Sequence, residues 1–406
     1  MQDLFAFIDG QTDYVVDIQR RLTAIPAVGP KNGGEGEGAK ADFLRGHLRS
    51  LGFENIRDYP APDPSVPRGE RPNLAAVIPG EDRSRTMWVI SHLDIVPPGD
   101  LSLWHSDPYD MVRKGDLLIG RGVDDNQQGL VSSLLVARHF LENKVQPPMN
   151  YGLLFVSDEE TGSVFGLDYV LREHGDIFSK DDLFLIPDFG QPDSALIEVA
   201  EKSMFWLKIT VTGRQCHAST PEKGRNSLVA SADLILRIRG LYAEFSDHDE
   251  LFDPPLSTFE PTKKEANVGN INTLPGRDVF YVDMRVLPHY SLDAVLNRIQ
   301  ELGREVEAAH DVSVAYETVQ REQAAPATPE DAEIVRRTVA AVRRVYGGDP
   351  KAVGVGGGTV AAFLRRRGYQ AVVWATLMHY AHQPNELSSI ANTLGDAKVM
   401  GAVLLG

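Results

Sequence analysis

Acidic and histidine side chains recur in clusters along this chain, and each cluster follows a segment predicted to be a buried strand. The five clusters are His92-Leu93-Asp94, Asp124-Asp125, Asp158-Glu159-Glu160, Asp188 and His379-Tyr380-Ala381-His382. In open α/β sheets, sites form beyond the carboxyl ends of the strands, so these side chains should meet in one crevice. Carboxylates brought together repel one another unless a cation lies among them. Imidazole and carboxylate together suit zinc, manganese or cobalt, and no thiolate is needed.

Each cluster taken alone is weak evidence for a metal. A His-x-Asp triplet is more often a hydrogen bond at the surface or in the core. An acidic pair is usually a solvated turn or a helix N-terminus, where the helix dipole favours carboxylates. The prediction therefore depends on all five clusters lying at strand ends. On residue type alone, Asp124 competes with Asp125 and His379 competes with His382.

The first part of the chain alternates helix-like and strand-like segments. Apolar residues at helical spacing predict helices over Tyr14–Leu22, Ala39–Leu51 and Leu130–Leu141. Short apolar runs predict buried strands at Asn73–Ile78, Met87–Ile90, Tyr151–Val156 and Leu183–Ile186. Strands interleaved with helices indicate an α/β sheet that is covered by helices on both faces.

The pattern changes near Ala200, where longer strands with one exposed face are predicted. The predicted elements are the strands Ser203–Thr212, Asp278–Leu287 and Val312–Tyr316 and the helices Ser227–Phe245 and Leu292–Ala309. After Gln323–Pro329 the chain returns to helices and a buried strand, Gln370–Thr376. We therefore predict an α/β domain formed by residues 1–200 and 320–406, interrupted by a smaller α+β domain at 201–319.

Composition narrows the class of protein. The chain has 406 residues and a formal charge of −16, which argues against nucleic acid or an anionic membrane as the main partner. The apolar run Ala371–Met378 is too short to cross a bilayer, and the N-terminus lacks the pattern of a secretory signal. Cys216 is the only cysteine, which excludes an internal disulfide and a Cys-rich metal site. We expect a cytoplasmic protein that acts on a small or peptidic molecule.

The motifs resemble those of one known family throughout nearly the whole chain. That family is the di-zinc amidohydrolases, which include acetylornithine deacetylase, succinyl-diaminopimelate desuccinylase, aminoacylase, carboxypeptidase G and carnosinase-type dipeptidases. The matching stretches are SHLDIVPPGD (91–100), GRGVDDNQQG (120–129), SDEETGS (157–163), PDFG (187–190), CHASTPEKGRNS (216–227), NTLP (272–275), GVGGGT (354–359) and AHQPNE (381–386). The resemblance implies a zinc-exopeptidase-like domain with a mixed central sheet flanked by helices. It also implies an inserted lid domain through which a homodimer forms.

The resemblance implies a site with two divalent cations, most often Zn²⁺, with Co²⁺ and Mn²⁺ as alternatives. The ligands would be His92, the bridging Asp125, Glu160, Asp188 and His382. Within the motifs, the spacing from Gly120 favours Asp125 over Asp124, and the Ala-His-x-Pro-Asn-Glu context favours His382 over His379. Three ligand carboxylates and one hydroxide would balance the four positive charges of two cations.

The resemblance also implies roles around the metals. Amide hydrolysis by metal-bound hydroxide is expected, with Glu159 as general base and Asp94 holding the second nitrogen of His92. His217 would stabilise the oxyanion and contact the substrate. A substrate carboxylate would be bound by Asn272, Arg285, Gly357, Gly358 and Thr359. The peptide bond between Asp125 and Asn126 is expected to be cis.

The substrate expected from these residues is an N-acyl amino acid, a dipeptide or a peptide C-terminus. One departure from the family is that Asn126-Gln127-Gln128 stands where Lys and then Gly are usual, which leaves the local loop geometry open. Two other functions remain alternatives. A nicotinamide-dependent dehydrogenase would need GVGGGT to bind a dinucleotide, although this stretch does not fit Gly-x-Gly-x-x-Gly. A binding protein of the same fold would have lost catalysis.

Overall fold

The structure is a computed structural model that describes all 406 residues. The chain forms two compact units. Unit 1 comprises Met1–Val199, Ala327–Val353 and Thr359–Gly406, and unit 2 comprises Ala200–Pro326 and Gly354–Gly358. The assignment of unit 1 as a catalytic domain and of unit 2 as a lid stays a prediction.

Eleven α-helices are present, besides five short 3-10 helices. In chain order they are α1 (Gln2–Asp9), α2 (Thr12–Thr23), α3 (Gly38–Leu51), α4 (Gln127–Glu142), α5 (Leu167–Glu173), α6 (Ser227–Arg239), α7 (Leu241–Glu244), α8 (Leu292–His310), α9 (Glu333–Val345), α10 (Ala361–Arg366) and α11 (Ile390–Leu405). No helix is both long enough and apolar enough to cross a membrane.

Nineteen strands complete the secondary structure. In chain order they are β1 (Ile56–Asp58), β2 (Ala61–Pro62), β3 (Glu70–Arg71), β4 (Leu74–Ile78), β5 (Asp82–His92), β6 (Val112–Lys114), β7 (Leu117–Ile119), β8 (Met149–Val156), β9 (Leu183–Gly190), β10 (Leu196–Glu201), β11 (Ser203–Thr212), β12 (Cys216–His217), β13 (Thr258–Lys264), β14 (Thr273–Leu274), β15 (Arg277–Val286), β16 (Ser313–Glu322), β17 (Lys351–Val355), β18 (Ala371–Ala375) and β19 (Leu387–Ser389).

An eight-stranded mixed sheet forms the centre of unit 1, in the order β1-β4-β8-β5-β9-β18-β10-β17. Strands β8, β5, β9 and β18 are neighbours and run parallel, whereas β4 and β10 are antiparallel to their partners. His92 at the end of β5 is in register with Val156 at the end of β8. The carboxyl ends of four strands therefore lie along one edge of the sheet.

The parallel strands are buried on both faces, which explains why they read as continuous apolar runs in the sequence. Trp88, Ile90, Leu154, Phe184 and Val373 belong to one buried cluster of the core. Helix α4 is buried along nearly its whole length and packs against α11. The predicted fold class, an α/β sheet between helices, is confirmed for this unit.

Unit 2 contains a four-stranded antiparallel sheet in the order β13-β15-β11-β16. Along β11, buried residues such as Phe205 and Leu207 alternate with half-exposed ones such as Trp206, because successive side chains point to opposite faces of a sheet. Helices α6 and α8 contribute Leu234 and Val295 to the core beneath the buried face. The side chain of Asn226 accepts hydrogen bonds from the first turn of α6, which explains where that helix begins.

The elements of unit 2 differ from the predictions in several places: β12 and β14 were not predicted, and the strand predicted over Val312–Tyr316 extends to Glu322 as β16. The helix predicted over Ser227–Phe245 divides at Gly240 into α6 and α7. Strand β13 was not predicted, since it contains Pro261, which cannot donate to a ladder of hydrogen bonds. It is an edge strand, and its register with β15 shifts between Pro261 and Lys263. An edge position with a local irregularity is where a strand tolerates proline.

Burial of His47 on α3 makes the stability of the metal-free protein depend on pH. Its Nε2 lies 2.7 Å from the hydroxyl of Tyr14 on α2. Burial, and then the charge of Arg21, lowers the pKa of His47 to about 4. Because this folded-state pKa is below the unfolded value, the stabilisation is present above about pH 6.5 and is lost as the pH falls towards 4.

When the pH is lowered from 7 to 5, the free energy of unfolding should fall in both proteins. We expect the fall to be about 1 kcal/mol smaller in His47→Gln than in the wild type, after allowance for the partial exposure of His47. Urea unfolding of both proteins in a chelator would measure the difference. The exposed His248→Gln is the matched control and should behave as the wild type does. An unchanged pH dependence in His47→Gln would contradict the prediction.

Candidate metal centre

Four of the five predicted metal ligands lie on or after the parallel strands of unit 1. His92 is the last residue of β5, and Asp188 lies near the end of β9. Glu160 follows β8, and His382 follows β18. Asp125 comes from the segment between β7 and α4. Because the four strands end at the same edge, residues far apart in sequence come together there.

The predicted ligands form two triplets that share one carboxylate. In the first triplet, Nε2 of His92 lies 2.8 Å from Oδ1 of Asp125 and 3.5 Å from Oδ1 of Asp188. In the second, Nε2 of His382 lies 3.1 Å from Oδ2 of Asp125 and 3.0 Å from Oε2 of Glu160. The donor atoms within each triplet lie within 4.8 Å of one another. The two oxygens of Asp125 thus face different histidines, as a bridging carboxylate requires.

The donor set fits a divalent transition metal. It contains two imidazoles and three carboxylates, and zinc accepts both types of ligand. Oε1 of Glu160 is buried without a hydrogen-bond partner, which is costly for a carboxylate unless a cation contacts it. No lysine or arginine forms an ion pair with any of the five side chains. The residues present therefore fit a metal, and their roles as ligands stay a prediction.

Two residues that competed for these positions lie outside the triplets. Asp124 is 1% exposed, and both of its carboxylate oxygens lack a hydrogen-bond partner. Burial, and then the charge of Glu386, raises the pKa of Asp124 to about 8. His379 is exposed, and its Nε2 lies 2.9 Å from Oε1 of Gln191. The geometry therefore favours Asp125 and His382, as the motif context did.

The surroundings of Glu159 and Glu160, the acidic pair after β8, raise the pKa values of both carboxyl groups. Burial, and then the charge of Asp188, raises the pKa of Glu159 well above its usual range. Burial, and then the charge of Asp125, raises the pKa of Glu160 to about 7. Carboxyl groups with raised pKa values in a crevice are frequent at active sites, because they exchange protons near neutral pH.

Asp94 supports the centre in a different way from the one expected. Nδ1 of His92 lies 2.9 Å from the main-chain oxygen of Asp94 but 3.5 Å from its carboxylate. The carboxylate instead accepts the main-chain N–H groups of Glu159 at 3.1 Å and Glu160 at 3.0 Å. One residue therefore orients an imidazole with its backbone and holds the acidic pair with its side chain.

Glu386 is a residue of the centre to which the sequence assigned no role. Its carboxylate accepts hydrogen bonds from Arg121 at 2.6 Å and from the main-chain N–H groups of Gly122 at 3.0 Å, Asp124 at 2.9 Å and Asp125 at 3.1 Å. It is fully buried. Glu386 thus holds the segment that carries the shared ligand. The only available signal was its place in AHQPNE, four residues after the candidate ligand His382.

The segment Asn126-Gln127-Gln128 stands where the family usually has Lys and then Gly. Each of its three side chains forms a hydrogen bond within unit 1. The expected cis peptide bond between Asp125 and Asn126 is present. The side-chain amide of Asn126 donates to Oδ1 of Asp188 at 2.8 Å. Gln127 accepts from Thr23, and Gln128 donates to Asp396 and to the carbonyl of Thr376.

His217, which was predicted to contact the oxyanion, and Asn272, which was predicted to contact the substrate carboxylate, both lie in unit 2. His217 on β12 is exposed, and its Nδ1 accepts a hydrogen bond from the main-chain N–H of Ser219. The main-chain oxygen of Asn272 accepts from Ala218 at 2.9 Å, next to the pairing of β12 with β14. His217 and Asn272 are therefore neighbours in a small two-stranded ribbon.

The residues predicted to bind a carboxylate already have partners. Arg285 on β15 forms two hydrogen bonds with the carboxylate of Asp283 and donates to the carbonyl of Gly356 at 2.7 Å. Gly357 and Gly358 follow in the same segment of unit 2. The hydroxyl of Thr359, in unit 1, lies 3.4 Å from Glu198. Contact of these residues with a substrate stays a prediction.

Paired metal-ligand triplets at the edge of a mixed sheet are typical of metallohydrolases. The chain belongs to peptidase family M20/M25/M40, whose family profile matches residues 88–405. An uncharacterised metallohydrolase of Methanocaldococcus jannaschii is 39% identical over 404 residues, which cover 96% of this chain and 98% of that protein. A succinyl-diaminopimelate desuccinylase of Xanthomonas campestris is 26% identical over 312 residues, which cover 75% of this chain and 79% of that protein.

Solved structures share the fold over nearly the whole chain. Human carnosine dipeptidase 1 is 18% identical with a TM-score of 0.75, and the match covers 100% of this chain and 98% of that one. A metallo-carboxypeptidase of Sulfolobus solfataricus is 17% identical with a TM-score of 0.76, with 96% and 98% covered. The family resemblance read from the motifs is confirmed. The chain is a metal-dependent hydrolase of the amidohydrolase and peptidase type.

Removal of the Glu386 carboxylate should destabilise unit 1. Glu386→Ala leaves the buried Arg121 unpaired, and breaking a buried ion pair costs about 3–5 kcal/mol. Urea unfolding in a chelator would measure the loss without a contribution from metal binding. Glu317→Ala removes an exposed pair with Lys208 and should cost less than about 1 kcal/mol. Equal stabilities of Glu386→Ala and the wild type would contradict the structural role of Glu386.

Proposed function

We propose that this chain hydrolyses an amide bond in a small substrate with a free carboxylate, using two divalent cations. The substrate would be an N-acyl amino acid, a dipeptide or a peptide C-terminus. One observation carries the proposal: Asp125 presents one oxygen to the triplet of His92 and the other to the triplet of His382. Zn²⁺ is the first choice for the cations, with Co²⁺ and Mn²⁺ as alternatives.

The ligand assignment follows from the two triplets. His92 and Asp188 would hold one cation, Glu160 and His382 the other, and Asp125 would bridge them. The three carboxylates offset three of the four positive charges of two divalent ions. A bound divalent cation polarises a carbonyl group and lowers the pKa of water from about 16 to about 7.

Glu159 is the proposed general base. Its backbone is held by Asp94, and it precedes the ligand Glu160 in the chain. Glu159 would accept a proton from the attacking water and return it to the leaving amine. A carboxyl group can accept a proton in the first step and donate it in the second.

The groups proposed to bind the substrate carboxylate lie around Arg285 and glycines 356–358. Arg285 offers a planar guanidinium, which binds carboxylates with two hydrogen bonds, but Asp283 engages it. Glycines 356–358 let a ligand approach the backbone closely. The names of the relatives, a desuccinylase, a dipeptidase and a carboxypeptidase, support cleavage of an amide bond. His217 would stabilise the oxyanion and contact the substrate, and Asn272 would contact the substrate carboxylate.

Two alternatives can be weighed. The family to which the chain belongs gives no support to a nicotinamide-dependent dehydrogenase. A binding protein without catalysis is the other alternative, although Glu159 and all five candidate ligands are present. The cytoplasmic location and the lack of nucleic-acid or membrane partners stay predictions.

The function is tested by a panel of N-acyl amino acids and dipeptides, with protein reconstituted in Zn²⁺, Co²⁺ or Mn²⁺. We expect hydrolysis and two metal ions per chain by elemental analysis. Glu159→Gln should keep both ions and lose about 10²–10⁴-fold in kcat, because it removes the proton acceptor.

The exposed Glu173→Gln is the control for that substitution and should retain full turnover. Metal binding without hydrolysis of any compound would favour the binding protein. Full turnover by Glu159→Gln would show that Glu159 is not the general base. A single metal ion per chain would contradict the proposal that Asp125 bridges two cations.

We also propose that unit 1 is the catalytic domain and that unit 2 is a lid through which two chains form a homodimer. Helix α6 is apolar on its outer face as well as towards the core. Leu228, Val229 and Leu236 on this helix are 39%, 52% and 70% exposed. Apolar surface that lies together on a helix is typical of an interface between chains.

Leu236→Glu should convert the dimer into a monomer, since a charge would be buried at the interface. Light scattering coupled to size-exclusion chromatography measures the mass. Leu101→Glu changes an equally exposed leucine of unit 1 and should leave the dimer intact. A monomeric wild type, or a dimeric Leu236→Glu, would contradict an interface on α6.

A further inference from the structure

A lysine is buried near the metal centre without a hydrogen-bond partner. Lys40 lies in the first turn of α3 and is 1% exposed. Its Nζ is fully enclosed and contacts no acceptor at hydrogen-bond distance. Lysine is almost never fully buried unless it is paired, because an ammonium loses its hydration there. Such a group needs a compensating negative charge nearby.

Three carboxylates act electrostatically on the ammonium of Lys40, in the order Asp94, Glu37 and Glu386. Two of them already have a close cation. Glu37 is bound by the guanidinium of Arg71, and Glu386 by that of Arg121 at 2.6 Å.

Asp94 has no such partner. It forms no ion pair with a lysine or arginine, and the nearest ionisable nitrogen is Nδ1 of His92, 3.5 Å away. Arg71 also acts on Asp94, but its guanidinium is held by Glu37. Lys40, whose ammonium is buried without a direct partner, is influenced more strongly by Asp94 than by any other carboxylate, although the two groups form no direct ion pair.

The carboxylate of Asp94 fixes the geometry of the acidic pair. It accepts hydrogen bonds from the main-chain N–H groups of both Glu159 and Glu160. Its position therefore fixes the backbone from which the proposed base and a candidate ligand extend. Side chains that hold metal ligands in this way commonly affect metal affinity or activity by 10–100-fold.

We propose that Lys40 is a positioning residue of the metal centre: its buried ammonium balances Asp94, and through Asp94 it holds the backbone of Glu159 and Glu160. The effect on turnover rests on the hydrolase function proposed above, whereas the effect on metal geometry does not. Burial, opposed by the three carboxylates, lowers the pKa of Lys40 to about 8, so the side chain still carries its charge at pH 7.

The experiment compares Lys40→Met with the wild type in protein reconstituted with Co²⁺. Methionine has a similar length and no charge. We expect the visible absorption bands of the cobalt to shift and kcat to fall at least tenfold, with KM changed less than twofold, because substrate contacts are untouched. Lys398→Met removes a lysine that pairs with Asp9 at the surface and should change neither readout.

A double-mutant cycle separates action through Asp94 from any other role. In an Asp94→Asn background, Lys40→Met should cause no further change in kcat or in the cobalt spectrum, since the residue on which it acts is already altered. Additive effects would overturn the proposal. So would an unchanged spectrum with tighter cobalt binding, which is the result expected of a lysine that merely repels the metal.

Folding is checked by circular dichroism. If Lys40→Met does not fold, Lys40→Gln takes its place in the same measurements. If neither variant folds, Lys40 is needed for the fold alone and the proposal is wrong. If the wild type hydrolyses no compound of the panel, the proposed function fails, yet the cobalt spectra still decide the role of Lys40.

Discussion

The carboxylate of Asp125 lies within about 3 Å of two histidine nitrogens, and this shared contact is the constraint on which the candidate metal centre depends. Two triplets of ligands can each enclose a cation only if the segment that carries Asp125 stays beside the ends of the parallel strands. Three carboxylates in one crevice would otherwise repel one another, and a cation among them removes that cost. The sheet of unit 1 provides the edge on which this arrangement is built.

Buried carboxylates that are not ligands hold the ligand segments through main-chain N–H groups. Glu386 binds the segment around Asp125, and Asp94 binds the segment around Glu160. Loop backbone has no ladder of hydrogen bonds, so its polar groups must find partners elsewhere when they are buried. Each of these carboxylates is accompanied by a buried cation, Arg121 or, as we propose, Lys40. The side chains of Asn126, Gln127 and Gln128 each find a partner within unit 1.

Much of the site could be predicted from the sequence, because its chemistry is carried by residue types at strand ends. The fold class followed from the spacing of apolar residues, and the motifs identified the family. Other features gave no sequence signal. Lys40 and Glu37 look like the solvated face of a helix, and Glu386 looks like one more acid in a loop. Strand β13 contains a proline, which argues against a strand unless its edge position is known.

The order of the residues by itself determined that imidazoles and carboxylates would follow consecutive buried strands, since that pattern is local. Residue type left Asp124 and Asp125 as rivals, and the spacing within the motif favoured Asp125; the tertiary structure is what places the carboxylate of Asp125, and not that of Asp124, beside both histidines. The physical reason is that the direction of each side chain depends on hydrogen bonds made by Glu386, more than 250 residues away. The pairing of Arg285 with Asp283 and the burial of Lys40 are likewise results of packing. Both depend on which residues the fold brings close together, and the spacing of residues along the chain does not reveal this.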